Sequence, residues 1–521
     1  MKYPSPSADS KTTQKRVILP FHAVWITVSL LLLTSCARQE HQVQTPIEPT
    51  DTFSREGKTD MPDRWWTALE DTRLNELMGQ ALKENFDLKG AWARLDQARA
   101  VARKEGATLW PQLDATASAA HVVQERDADS GSGASGGSST DTGRTNENEF
   151  SLGLQATYEV DVWGKVRAAT DAARLNAQAS AADVDAAALS LTAQVANAWY
   201  QLVNQRAQFD LLEQQIATNK RYLELVTSRF QKGAVPVTDV LQQRKQIEAI
   251  RTDRERVQAE LQTLRHQLAV LLGRTPSQPS FPEKADLPEL PSLPDTGVPA
   301  EVLRQRPDVR NAYLRVRAKD QSVAAAIAEQ YPRFTISGSF TTAATEPTAL
   351  LEEWVAKLAG NMTAPLLDGG RREAEVARAR AAAAESLYKY GQTLLTAVRE
   401  VEDALSNEQK QRRALAGIRR QLRLSKQTLQ QLGRKYRNGA VDFLKVLDEQ
   451  RRYQTLQRQA LTAHVRLVQD RINLYRALAG TWDLERPEKN RHGEDNAAKK
   501  GENQESSGDE ANKKPASESG L

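Results

Sequence analysis

Apolar side chains recur in alternating steps of three and four residues over two stretches of the chain that lie 206 residues apart. The first stretch covers 209–230 and the second covers 415–436. Each contains one polar residue at the same place, Asn219 in the first and Ser425 in the second. This spacing is typical of helices that pack as coiled coils. The sequence therefore predicts two copies of one long helical hairpin.

The helices of this hairpin are unusually long. Residues 165–232 contain neither glycine nor proline, and 371–438 contain no proline. At about 1.5 Å per residue, each stretch predicts a helix on the order of 100 Å long. Shorter apolar seams follow each turn, and half-length helices ending near Pro111 and Pro332 precede each long helix. Two half-length helices stacked end to end match one long helix, which favours a hollow cylinder over a compact bundle.

Between these helices the period of the pattern changes from helical to strict alternation. Apolar residues alternate with polar ones over 150–162 and over 334–341, with weaker partners at 113–122 and 358–366. Alternation predicts strands with one apolar face. Each half therefore contains one predicted β-hairpin, at about 112–163 and about 333–368.

Four strands leave open edges, which the hydrocarbon of a bilayer does not tolerate. Three chains would supply about twelve strands and close a transmembrane β-barrel. We therefore expect a mainly α fold with a β-barrel part, formed by a homotrimer. Trp110, Trp163 and Tyr331 flank the predicted strands, where they would form an aromatic girdle at the membrane interface or simply pack at the junctions.

The two halves differ in length in one place. Pro332 lies 221 residues after Pro111, whereas the second long helix is predicted to begin 206 residues after the first. Between its proline and its long helix, the first half therefore has 15 more residues than the second. The Ser/Gly-rich stretch 130–140 is the expected source of the surplus and is typical of a surface loop.

These patterns divide the chain into consecutive segments. We predict a signal peptide (1–35), a first repeat (36–278, tip 233–236), a Pro-rich linker (279–299), a second repeat (300–485, tip 439–442) and a disordered polar tail (486–521).

The only cysteine, Cys36, follows a basic stretch and an apolar run over 17–33. This order is typical of an export signal. Leu33-Thr34-Ser35-Cys36 resembles a bacterial lipobox, which implies that Cys36 is lipidated and becomes the new N-terminus at the outer membrane. The alternative is an uncleaved anchor helix with an incidental thiol. A single cysteine excludes an internal disulfide and a multi-cysteine metal site.

Composition narrows the classes of function. The net charge of +4 is small for 521 residues. The chain has no basic stripe with interleaved aromatic residues, so nucleic acid is not an expected partner. The six histidines are scattered, and we identify no nucleophile–base pair, metal cluster or phosphate loop. We therefore expect no catalytic residues, no metal and no cofactor, and predict that the protein is not an enzyme.

Several spaced motifs together resemble a known family. They are Trp65-Trp66-Thr-Ala-Leu-Glu-Asp71, the stretch 88–99, Tyr158-Glu-Val-Asp-Val-Trp-Gly-Lys-Val-Arg167 and Pro365-Leu-Leu-Asp-Gly-Gly-Arg371. They are similar to outer-membrane factors of the TolC type, and most similar to the lipoprotein channels of tripartite, resistance-nodulation-division multidrug efflux systems. The resemblance covers about 60 to 483.

The resemblance implies a passive trimeric duct for drugs or other small molecules. Its β-barrel would lie in the outer membrane and its α-helical tunnel in the periplasm, and it would work with a periplasmic adaptor and an inner-membrane pump. A duct of a type I polypeptide secretion system shares this fold and stays open as an alternative. The adaptor of the same machinery would lack the duplicated hairpin and the four strands.

The turns at the hairpin tips are the first candidate site. Gly233 and Gly439 lie where a helix must reverse direction, which often requires a positive φ. By resemblance, the small residues at both turns would also leave room for the tips of an adaptor. These candidate adaptor contacts are Gly233, Ala234, Val235, Gly439, Ala440 and Val441.

The second candidate site is a periplasmic gate just past the second tip. Leu444 and Asp448 are four residues apart and share one helix face. In a three-fold tunnel each would form a ring, and a ring of three carboxylates favours cations. The alternative is a solvated surface aspartate. By resemblance, some relatives carry an arginine and two aspartates near this turn. This chain matches them at Asp448 but has Val441 and Lys445 at the other two places, so the resemblance does not imply an arginine latch.

Overall fold

The computed structural model describes residues 52–57, 59–126, 143–277, 286–297 and 299–486. All of them belong to one compact unit. The predicted signal peptide, Cys36, the Ser/Gly-rich stretch 130–140 and the tail after Arg486 lie outside the described residues. The described α-helices are α1 (Thr72–Glu84), α2 (Phe86–Ala107), α3 (Lys165–Gln231), α4 (Val237–Leu271), α5 (Pro299–Gln305), α6 (Pro307–Ala328), α7 (Arg371–Arg437) and α8 (Phe443–Leu478).

The internal duplication is visible in the helix ends. The long helices α3 and α7 have 67 residues each, and both their first and last residues differ by 206 in number. The returning helices α4 and α8 also begin 206 residues apart. Gly164 and Gly370, with φ of 77° and 84°, directly precede the two long helices. The predicted fold class, mainly α with four strands and a duplicated long hairpin, is confirmed.

Each hairpin packs along its length, and the second hairpin also packs against the first. Helix α3 packs against α4 in its own hairpin and against α2 and α6, and helix α7 packs against α8 and α6. Helix α8 also packs against α3, which joins the second hairpin to the first. None of the described helices combines the length and the apolar content needed to cross a membrane.

The strands β1 (Gln112–Arg126), β2 (Gly143–Val160), β3 (Arg333–Ala344) and β4 (Trp354–Thr363) form one antiparallel sheet in the order β1-β2-β3-β4. The expected partner strand 358–366 is shifted, because β4 ends at Thr363. The first hairpin has strands of 15 and 18 residues, and the second has strands of 12 and 10. The strands of the first hairpin are thus 11 residues longer in total, and the Ser/Gly-rich stretch as a source of the surplus stays a prediction because it lies outside the described residues.

The main hydrophobic core surrounds the middle of α3. Trp65 and Trp199 are buried there, and Trp65 packs edge-on against Trp66 with ring centroids 5.9 Å apart. Asp71 caps α1 by accepting from the Leu74 N–H at 3.0 Å, and its other oxygen accepts from the Trp199 indole at 2.8 Å. The Trp65-to-Asp71 motif therefore fixes the N-terminal segment to the first long helix.

The linker between the repeats is held by a buried ion pair. Arg471 on α8 and Glu408 on α7 form two hydrogen bonds of 2.7 and 2.8 Å, and both side chains are buried. Arg471 also donates to the carbonyl oxygens of Pro291 and Ser292, at 3.1 Å each. Although burial acts to raise the pKa of Glu408, the guanidinium groups of Arg471 and Arg412 together outweigh it and hold that pKa below its usual range. The described part of the linker, 286–297, is thus attached to the second hairpin.

Candidate functional site: the paired hairpin tips

The two tips share one turn geometry. Gly233 and Gly439 have φ of 68° and 74°, a region that favours glycine. At the first tip the Ala234 N–H donates to the Arg229 carbonyl at 2.9 Å, and at the second the Ala440 N–H donates to the Lys435 carbonyl at 2.9 Å. Both long helices therefore end in a left-handed glycine whose next amide satisfies a free carbonyl. No atom lies within 4 Å of a Cβ added at either glycine, so backbone conformation, rather than crowding, is what requires glycine.

The candidate adaptor residues differ in exposure. Gly233, Ala234, Gly439 and Ala440 are exposed. Val235 and Val441 are half-buried and pack against a shared cluster formed by Val226, Val240, Tyr436, Phe443, Val446 and Leu447. This cluster, called here the tip cluster, contains side chains from both hairpins. The two tips are therefore one packed unit with four exposed small residues at its end.

One residue of this unit was not found from the sequence. Arg229, at the end of α3, lies with its guanidinium carbon 4.4 Å from the ring centroid of Tyr436. It also donates to the carbonyls of Tyr436 and Arg437 at 3.0 and 2.8 Å. A side chain of the first hairpin thus caps the long helix of the second. The sequence signal was its position at the start of the turn motif, where the second repeat also has a cation, Lys435.

Carboxylates of both hairpins influence each other at the tips. Burial raises the pKa of Asp239, in the first turn of α4, and the charge of Asp442 raises it further. Asp442 precedes α8 and makes no side-chain capping bond to that helix. The tip unit therefore brings together a cation that bridges the hairpins and two carboxylates that repel each other.

The polar residues that interrupt the two apolar seams have different surroundings. Asn219 is fully buried, and its side-chain oxygen accepts from Gln243 on α4 at 3.0 Å and from Gln450 on α8 at 2.9 Å. Ser425, its counterpart, donates to the Glu449 carboxylate at 2.5 Å. Asn219 therefore joins three helices through neutral amides, whereas the second copy carries a carboxylate.

The candidate gate residues lie on one exposed face of α8. Leu444 is 49% exposed although it is apolar. Asp448, one turn further on, is exposed and forms an ion pair of 3.7 Å with Arg451. Neither contributes to the tip cluster. The structure thus places both side chains on the same face, where Asp448 already has a local cation.

The strand side chains separate by polarity. Leu113, Leu154, Ile336, Phe340 and Leu358 are exposed, and the antiparallel register places all five on one face of the sheet. The opposite face carries Ser118, Ser151, Thr341, Ser339 and Lys357 in matching register. One face is therefore suited to lipid and the other to water.

The aromatic residues at the strand–helix junctions are partly ordered against each other. Trp163 and Tyr331 stack with centroids 4.8 Å apart, and the Trp163 indole donates to the Pro332 carbonyl at 2.8 Å. Trp110, Trp163 and Tyr331 are all exposed. Packing at the junction is therefore observed for Trp163 and Tyr331, and a place at the membrane interface stays a prediction for all three residues.

Comparison with known proteins agrees with this geometry. The model of the family described as outer membrane efflux protein matches residues 77–274 and 298–480. The chain is 32% identical over 445 residues to the pyoverdine export outer membrane protein OpmQ of Pseudomonas aeruginosa, covering 82% of this chain and 90% of OpmQ. It is 27% identical to the cation efflux system protein CusC of Escherichia coli strain K12, covering 86% of this chain and 97% of CusC.

Solved structures of such proteins have the same fold. A structure of CusC gives a TM-score of 0.75 at 26% identity, covering 84% of this chain and 98% of that one. The outer-membrane channel OprN gives a TM-score of 0.74 at 27% identity, covering 85% of this chain and 100% of OprN. With the family model matched over both repeats, this chain belongs to the outer membrane efflux protein family and is an outer-membrane efflux channel.

Proposed function

We propose that this chain forms a homotrimeric, lipid-anchored duct through which small molecules leave the cell, delivered by an inner-membrane pump and a periplasmic adaptor. The observation that carries the proposal is the four-stranded sheet, which has one apolar face and two unpaired edge strands, β1 and β4. A sheet with open edges is not stable in hydrocarbon. Neighbouring copies that pair β4 with β1 remove the edges, and three copies supply about twelve strands.

The helices support the same arrangement. Helix α6 packs against both α3 and α7, whereas its counterpart α2 packs against α3 and forms no comparable contact with α7. Among the described residues, the sheet therefore lacks a partner for the open edges of β1 and β4, and the helices lack the α2–α7 contact that would match the contact of α6 with α3. Addition of copies in a ring provides a partner for each of these contacts, and a closed ring of helices provides a passage.

The adaptor is proposed to bind at the exposed tip residues Gly233, Ala234, Gly439 and Ala440. Small side chains permit close approach of helical tips from another protein, and the exposed Leu444 and Asp448 lie just beyond. In this proposal the resting duct is narrowest there, and adaptor binding moves the hairpins apart. Cys36 is proposed to attach the N-terminus to the membrane by acyl chains, adding to the hold of the barrel.

The cargo is proposed to be chosen by the pump. OpmQ is named for pyoverdine export and CusC for cation efflux, so similar chains serve cargoes of different chemistry. The residues of this duct then have no chemical step to perform. No described feature favours polypeptide secretion over export of small molecules.

Expression in a strain that lacks its own channel of this family tests the proposal. The full chain should restore export of a fluorescent pump substrate when the cognate pump and adaptor are present, and deletion of the adaptor should abolish the gain. Its mass in mild detergent should fit three chains. A folded monomer in detergent, or export that does not depend on the adaptor, would contradict the proposal.

A further inference from the structure

One side of α4 is not covered by any other described part of the chain. Its counterpart on α8 is packed against the first hairpin and the tip cluster, where Phe443, Leu447, Gln450 and Gln454 are buried. The residues 206 positions earlier on α4 are exposed, namely Val237, Leu241, Arg244 and Glu248. Leu447 is 0% exposed, whereas Leu241 is 55% exposed. The sequence thus repeats a packing face that is buried on α8 and exposed on α4 among the described residues.

The matching surface is on α7. Within the chain, two residues of α3 bind α8. Gln215 donates to the Gln454 carbonyl at 3.2 Å, and Asn219 accepts from the Gln450 side chain at 2.9 Å. Their counterparts on α7 are Gln421 and Ser425. These two residues line an open groove together with Thr428 and Glu449. A helix seated in this groove would repeat the α3–α8 contact.

We infer that α4 of a second copy of this chain occupies the α7 groove and that its Arg244 forms an ion pair with Glu449. The inference rests on the proposed trimer and names the contact that joins its subunits. In the chain, Asn219, Gln243 and Gln450 form a neutral amide cluster. The counterparts of these three residues are Ser425, Glu449 and Arg244. Ser425 donates to the Glu449 carboxylate at 2.5 Å. This bond fixes the carboxylate at the position that Arg244 of the second copy would contact.

The tips supply a second, independent match. Arg229 lies over the ring of Tyr436, which is 3% exposed. The counterparts are Lys435 and Phe230, and Phe230 is 42% exposed. Packing of a second copy against α7 brings its Phe230 beneath Lys435, where a cation over an aromatic face is favourable. Lys435 would also reach the last carbonyls of α3 of that copy.

The repeat of the contact is not complete. Arg451 donates to the Gln246 side chain at 2.8 Å within the chain. The counterparts of these two residues are Lys245 and Arg452, which are both cations, so this bond has no equivalent between copies. Glu449 therefore offsets part of the positive charge that Lys245 and Arg452 bring to the contact between subunits.

The contact is head-to-tail, because α7 of one copy meets α4 of the next. Such an interface closes into a ring when the rotation between copies allows it. Within the chain, Asn219 meets Gln243 and Gln450 through neutral amides, whereas the matching contact between copies is a charged pair. Salt screens charged pairs more than amide contacts, so the contacts between subunits should be the more salt-sensitive of the two.

Charge reversal in the full-length protein tests the ion pair. Arg244→Glu and Glu449→Arg should each lower the temperature at which the detergent-solubilised trimer dissociates by several degrees, and the double variant should recover most of the loss. Lys426→Glu is the matched control, because Lys426 and its counterpart Lys220 are both exposed. Single variants that dissociate like the wild type, or a double variant without recovery, would overturn the inference.

Cross-linking tests the contact directly. With Cys36 as the only natural cysteine, the pair Arg244→Cys and Glu449→Cys treated with a short thiol-specific cross-linker should give covalent trimers on denaturing gels, and either single variant should give none. If the double variant runs only as single chains on denaturing gels after treatment, the inference is wrong. If the mass in detergent still fits three chains, the proposed trimer survives that result. A monomeric mass would instead remove the trimer and the inference together.

Discussion

The Arg229 guanidinium lies 4.4 Å from the centre of the Tyr436 ring and donates to the Tyr436 carbonyl at 3.0 Å. One side chain thereby contributes a cation–π contact and a helix cap at once, between residues that are far apart in the chain. The same guanidinium also donates to the Arg437 carbonyl at 2.8 Å. The last turn of the second long helix therefore depends on the end of the first.

Loss of this contact should loosen the tip without unfolding the hairpins. Arg229→Ala should destabilise the tip by about 1 to 2 kcal/mol, from the lost cation–π contact and the lost hydrogen bonds. Amide hydrogen exchange at 436–440 should become faster, while exchange near Trp199 stays unchanged. Arg434→Ala, at an exposed position in the last turn of α7, is the control and should leave exchange at the tip unaltered.

The gate prediction concerns the exposed face of α8. Asp448→Ala should raise single-channel conductance in planar bilayers and weaken cation preference, because three carboxylates would no longer surround the passage. Leu444→Ser should make cells more permeable to large antibiotics such as vancomycin. If conductance, selectivity and permeability all match the wild type, the constriction lies elsewhere and Asp448 is a surface charge paired with Arg451.

The lipidation prediction concerns Cys36. Cys36→Ser should abolish labelling by radioactive palmitate, because the chain offers no other thiol at its N-terminus. The variant should still assemble if the barrel supplies most of the membrane attachment. Palmitate label that persists in the variant would show that the anchor is attached elsewhere.

The buried ion pair of Arg471 and Glu408 should matter for stability. Arg471→Met leaves the buried Glu408 with only its Arg412 contact at 2.9 Å, and removal of one partner of a buried pair costs about 3 to 5 kcal/mol. The linker should also become more sensitive to protease, because the Pro291 and Ser292 carbonyls lose their donor. Adding Glu408→Gln to Arg471→Met should recover part of the loss, and a double variant as unstable as the single one would argue against an electrostatic cause.

The pH prediction concerns Asp470, near the same pair. Burial, and to a lesser degree the charge of Glu408, raise the pKa of Asp470 to about 6 against the opposing effect of Arg466. A carboxyl whose pKa is higher in the folded state favours folding while it is protonated, and this contribution is lost as pH rises from about 4 to about 6. Asp470→Asn should therefore stabilise the protein by about 1 to 2 kcal/mol at pH 8, after allowance for solvent screening, and little at pH 4.

Thermal unfolding at both pH values measures this effect. Asp483→Asn, at an exposed position, is the matched control and should show no comparable pH-dependent gain. Equal stabilisation by Asp470→Asn at pH 4 and pH 8 would show that the carboxylate charge is not the cause.

The sequence by itself determined the elements and their duplication. Steps of three and four residues identify the buried face of a helix, so the ends of α3 and α7 were predicted to within one residue at their C-termini. Alternation identified the strands, and Gly233 and Gly439 marked the turns because only glycine adopts a positive φ without strain. These signals are local, and each depends on residues within a few turns of one another.

Only the tertiary structure decided which faces meet. Periodicity shows that Asn219 lies on a packed face, but its contact with Gln450 depends on how two hairpins are placed in space. For the same reason the cap formed by Arg229, and the partial burial of Val235 and Val441, could not be derived from spacing. A polar or charged residue gains its role from partners distant in the chain, because a hydrogen bond requires a specific atom within about 3 Å, whereas an apolar contact requires only a buried surface.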